Sequence, residues 1–78
     1  MARTSEPQPE LGSAIRQIRE REELSQEEVA HRAKLHATWL SHIEAGRVNP
    51  AWGTVRRIAG GLGVPLVEIV ARAERNGT

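Results

Sequence analysis

Apolar residues recur every three or four positions along most of this 78-residue chain, in runs separated by turn residues. That spacing predicts amphipathic helices. Leu11, Ile15 and Ile18 mark a first helix over about residues 9–22, where Pro9 suits the first turn and Glu10 the positive end. A second helix begins where Ser25 and Glu28 form an S-x-x-E capping box and Leu24 can pack on Val29 as a hydrophobic staple. Val29, Ala30 and Ala33 face inward on it, and the alanines are small enough for a neighbouring helix to come close. The third helix is expected over residues 37–45, with Leu40 and Ile43 buried and Gly46 as a left-handed cap. Beyond Asn49-Pro50, the repeat of Trp52, Val55, Ile58, Ala59 and Leu62 predicts a fourth helix over residues 51–62. Gly60 and Gly61 each cost about 1 kcal/mol relative to alanine inside a helix, so its last turn is expected to fray before Gly63. Pro65 opens a fifth helix with Leu66, Ile69, Val70 and Ala73 on one side. No strand pair is legible, so the expected fold is all-α, a compact five-helix bundle.

The length allows one domain, which buries only about 60% of the surface of its unfolded chain. Residues 1–8 are polar, with Pro7 and Pro9 nearby, and read as a mobile arm, residues 9–74 as the folded unit and residues 75–78 as a tail. In that arm Arg3 is a candidate for an adjacent minor groove. No separate sensing domain is expected within these 78 residues. Cysteine is absent, which excludes disulfide staples and thiolate chemistry and fits a reducing, cytoplasmic setting. Neither a secretory h-region nor a run of the ~20 apolar residues that a membrane span needs is visible. His31, His36 and His42 are five and six apart, which does not align them on one helix face. With no Cys or Asp to complete a zinc site or a triad, no enzyme, metal or cofactor is expected.

The net charge of +1 conceals a division along the chain. Residues 1–30 carry −3, and residues 58–78 are neutral. Residues 31–57 carry +4, from Arg32, Lys34, Arg47, Arg56 and Arg57 against Glu44 alone. A local positive field of this kind suits a polyanionic partner, and it coincides with the third helix and its flanks. Two short helices joined by a tight turn are also the geometry that pushes a helix into a DNA major groove.

Ser25-Gln26-Glu27-Glu28-Val29-Ala30, Trp39-Leu40-Ser41-His42-Ile43-Glu44-Ala45-Gly46-Arg47, Asn49-Pro50 and Leu62-Gly63-Val64 stand in order with fitting gaps. Together they resemble the Cro/CI-type, or XRE, helix-turn-helix family over about residues 11–70. The resemblance implies a lambda-repressor-like bundle and a sequence-specific transcriptional regulator of double-stranded DNA, acting as a homodimer on an inverted repeat. Its mode of action would be occupancy or contact with RNA polymerase. By the same resemblance Ala37, Thr38, Ser41 and His42 fall where the family reads base edges. Gln26, Arg47 and Asn49 fall where it meets phosphates, and Arg19 and Glu44 match a structural ion pair. The physics agrees for Glu44: a carboxylate in a last helical turn opposes the helix dipole, so a cationic partner explains it. Trp39 is either a purely structural ring on the rim of the core or a phosphate contact through its indole N–H.

Some residues depart from the family pattern. Glu23 and Lys34 replace the usual glycines in turns that need positive φ. His36 and Ala51 replace Ser/Thr caps, at about 1 kcal/mol each. Val67 stands where the family is commonly polar, and with Val64 and Val70 it forms an apolar patch that either holds a dimer or finishes the core. The competing reading is a protein-interaction module, a coactivator bridge or antitoxin-type partner-binding domain, with DNA contact secondary or absent.

Overall fold

The capping box shows how local chemistry fixes an element. The Ser25 hydroxyl accepts the Glu28 N–H at 3.0 Å, and the Glu28 carboxylate accepts the Ser25 N–H at 2.8 Å. Hydrogen bonding to the carboxylate, first from the Ser25 N–H and then from the Ser25 hydroxyl, holds the Glu28 carboxyl below its ordinary range. The box starts the second of five helices in the computed structural model, which describes residues 7–77. The helices are α1 Pro9–Arg21, α2 Gln26–Ala33, α3 Ala37–Glu44, α4 Trp52–Leu62 and α5 Leu66–Asn76. Within the described residues there is no strand, and no helix is long and apolar enough to cross a membrane.

α1 packs chiefly against α5 and α3, while α2 packs chiefly against α4. All five isoleucines are buried, joined by Val29 and Leu40. Burial of each such side chain contributes about 1.5–3 kcal/mol, so this wholly aliphatic centre drives the assembly. α4 continues through Gly60 and Gly61 to Leu62, and Gly61 has a packing role there. A Cβ on it would stand 3.0 Å from the Val29 carbonyl oxygen, so the glycine lets α2 and α4 approach.

Other boundaries differ in instructive ways. α5 runs to Asn76, beyond the expected end at residue 74, and Asn76 Nδ2 donates to the Glu10 carbonyl at 3.3 Å. Gln8, expected in the arm, is the N-cap of α1, its carbonyl accepting the Gly12 N–H. Arg3 lies outside the described residues. Trp52 carries the α4 pattern but is 63% exposed, because it sits at the helix start where the core has already narrowed. On α5 only Ile69 is fully buried, and Val70 is exposed.

Glu23 and Lys34 have φ of 59° and 61°, and both are followed by the next helix within a few residues. Left-handed backbone costs a side-chain-bearing residue about 1–2 kcal/mol. Neither His36 nor Ala51 makes a side-chain cap. Replacing Lys34 with Gly should therefore stabilise the fold by about 0.5–1 kcal/mol. Thermal denaturation should show a raised midpoint, and a lowered one would mean that the Lys34 side chain makes a compensating contact.

Candidate nucleic-acid interface

The eight residues of α3 divide cleanly between two sides. Leu40, Ile43 and Glu44 are buried, and Ala37 packs partly against the core. Thr38, His42 and Ala45 follow at four- and three-residue steps on the opposite side, with Ser41 and Trp39 on its flanks. Thr38, Trp39, Ser41 and Ala45 are exposed, and His42 is half-buried. The structure thus gathers Thr38, Ser41 and His42 on one outward face. Ala37 sits apart from its centre, at the edge of a shallow groove that Gln26, Glu27, Thr38 and Ser41 also line.

What holds this face outward is a polar cluster beneath α3. Arg19 Nε donates to Glu44 Oε2 at 2.7 Å, and Arg19 Nη2 donates to Glu44 Oε1 at 3.0 Å. Only 13% of the Arg19 side chain and 3% of the Glu44 side chain remain exposed. Gln26 Nε2 donates to the same Glu44 Oε1 at 3.0 Å, and Arg19 Nη1 donates to the Leu24 carbonyl at 2.9 Å. Hydrogen bonding to Glu44 raises the Arg19 pKa against the lowering effect of burial. α1, α2 and α3 therefore meet at one carboxylate, and the turn before α2 is tied to the same cluster through Arg19.

Close backbone approach supports the same joint. A Cβ at Gly12 would collide with the carbonyl oxygens of Ile43 and Glu44, so only glycine lets α1 lie this close to the end of α3. Past that end Gly46 takes φ 75°, turning the chain into exposed Arg47 and half-buried Asn49. Exposed Lys34 precedes α3, so a cation stands at either end of it.

Sequence reasoning missed several of these features. Gly12 had a signal, as an isolated glycine inside an amphipathic pattern. Ala45 was reachable by counting on from Thr38 and His42. The Gln26 bond to Glu44 had no sequence signal. Of the valine patch, Val67 is 69% exposed and Val70 is exposed, whereas Val64 is half-buried against the core. An open groove of about 570 Å³ adjoins Val70 and Trp52.

Comparison with known proteins agrees with this geometry. A helix-turn-helix domain model matches residues 10–71. The uncharacterized HTH-type transcriptional regulator y4dJ of Sinorhizobium fredii is 40% identical over 60 residues, which cover 77% of this chain and 78% of that protein. The immunity repressor protein of Bacillus phage phi105 is 37% identical over 60 residues, again 77% of this chain. This chain spans 42% of the length of that repressor. Among solved structures, the clp gene regulator ClgR from C. glutamicum superposes with a TM-score of 0.88 at 21% identity, covering 91% of this chain and 92% of that one. Fold and outward helix together define a DNA-binding transcriptional regulator of the helix-turn-helix class. The chain belongs to that helix-turn-helix domain family.

The cluster under α3 makes a quantitative prediction. Glu44→Ala leaves the Arg19 guanidinium shielded and without its carboxylate, so stability should fall by about 3–5 kcal/mol. Urea denaturation would measure it, and a loss below about 1 kcal/mol would put the pair among ordinary surface ion pairs.

Proposed function

We propose that the chain reads a duplex operator through α3 in the major groove, as one half of a homodimer on an inverted repeat. The observation that carries this reading is the division of α3, with one side clamped at Glu44 and the other offering Thr38, Ser41 and His42 outward. Thr38 and Ser41 can donate to or accept from base edges, His42 can donate to guanine N7 or O6, and Ala37 can touch a thymine methyl. Ala45 joins them as a small residue facing the bases. These side chains are short, so DNA shape contributes a large share of the discrimination. Arg47, Asn49 and the start of α2 at Gln26 meet phosphates, and Trp39 reaches the backbone from its flank.

The pairing of copies follows from affinity. One molecule measures 35 × 24 × 18 Å, a size that fits one half-site. A second copy about 34–36 Å along the duplex doubles the contacts of a short reading helix. Exposed Val67 and Val70 on α5 support a self-complementary contact there. Repression follows from occupancy of the operator, with contact to RNA polymerase as the route to activation from a neighbouring site. The exposed Trp52 beside its groove favours a second reading, a protein-interaction module, in which α4 and α5 would face a different partner.

Random-site selection on the purified protein tests the main reading directly. It should return a two-fold symmetric motif, and an empty selection favours the interaction module. On the selected duplex, affinity should fall about 100-fold between about 50 and 200 mM salt if Arg47 and Lys34 of each copy neutralise one phosphate apiece. Thr38→Ala or His42→Ala should reduce the preference for operator over random duplex by about five- to tenfold, whereas Arg47→Ala should weaken both alike. Fluorescence anisotropy measures both quantities, and identical preference in all variants would remove these base assignments.

Assembly is tested apart from DNA. Val67→Glu puts a charge into the α5 contact, so sedimentation velocity should shift toward monomer. An unchanged profile would exclude Val67 from the contact.

A further inference from the structure

Gln26 is the first residue of α2, and its amide reaches Glu44, the last residue of α3. Chemistry fixes which way that amide points. With Oε1 inward, two acceptors would oppose each other; with Nε2 inward, a donor meets the carboxylate at 3.0 Å. Arg19 already supplies the charge that Glu44 needs, but it reaches from α1. Gln26 supplies the side-chain tie from α2 to that carboxylate. At their other ends the two helices are joined by the short turn through Lys34, Leu35 and His36. α3 is therefore held to α2 by a covalent turn at its start and by a hydrogen bond at its end, and those two points set the crossing angle.

We infer that Gln26 is a positioning residue for the reading helix: its bond to Glu44 latches the end of α3 to the start of α2 and fixes the angle at which Thr38, His42 and Ala45 face a duplex. This rests on the reading that α3 enters the groove, and it revises one role within it. With Nε2 turned inward, one of its two hydrogens is committed to Glu44 and the carbonyl Oε1 faces away, where it would repel a phosphate oxygen; only the second N–H stays available to an anion. Gln26 acts on DNA through the angle of α3. Leu40 and Ile43 remain packed without the latch, so its loss lets α3 swing slightly while the bundle stays folded.

That distinction is measurable. A phosphate contact contributes equally to every duplex, whereas a latch matters only where α3 must match base edges. Gln26→Leu keeps the side-chain size and removes the donor. Gln26→Asn keeps an amide but shortens it by one methylene, beyond reach of Glu44. Both variants should lose about tenfold in affinity for the selected operator, as befits one hydrogen bond to a charged group. Affinity for a random duplex should change less than about twofold. In the DNA-free protein, amide resonances of Ser41–Ala45 should move in both variants while thermal midpoints stay well above the assay temperature. Equal loss on both duplexes with unmoved α3 resonances would overturn the proposal in favour of a direct phosphate contact. Unchanged affinity for the selected operator would overturn it as well. A wild-type protein that selects no operator would sink the DNA reading, and the resonances of Ser41–Ala45 would still decide whether Gln26 holds α3.

Discussion

Glu44 places a negative charge at the end of a helix where the last carbonyls already concentrate negative potential, and it does so almost out of reach of water. Such a group is tolerated only when donors replace the lost hydration. Three side-chain donations do this, two from Arg19 and one from Gln26. The compensation is also architectural, because the donors come from α1 and α2. A charge that is costly in isolation becomes the point at which three helices agree on their orientation. Replacing the pair with well-packed apolar residues would serve stability as well or better. It would not fix direction, since apolar contacts accept many angles.

Small residues complete that constraint. Gly12 admits α1 to the carbonyl oxygens at the end of α3, and Gly61 admits α4 to the backbone of α2. With helices this close, the aliphatic core needs no aromatic filler, and the chain contains no Phe or Tyr at all. The outward side of α3 carries no part of this packing. Support and display are therefore divided between opposite sides of an eight-residue helix.

The fold was largely legible because its signals are local. Helical periodicity, the Ser25–Glu28 box and Gly46 each act within a few residues, and α2 and α3 begin where these signals set them. Glu23 and Lys34 were legible through the family pattern, and both take the left-handed backbone that glycine usually supplies. Exposure was less legible. Trp52 fits the spacing of α4, but spacing does not record where the core ends. Least legible was Gln26, whose bond to Glu44 spans 18 positions and depends on a crossing angle that no local pattern encodes. The four residues expected at base edges did not all share one direction: Ala37 turned partly toward the core, and Ala45 emerged on the outer side, both as helical steps from Leu40 and Thr38 require.

The two tryptophans have a spectroscopic consequence. Trp39 and Trp52 are the chain's only fluorescent side chains, since it has no Tyr or Phe, and both lie at the surface outside the aliphatic core. Trp39 is 41% and Trp52 63% exposed, so melting the bundle should change their indole emission less than it would for rings sealed in a core. Quenching or a blue shift in this protein would therefore signal something settling onto its exterior, at α3 for one ring and beside α5 for the other.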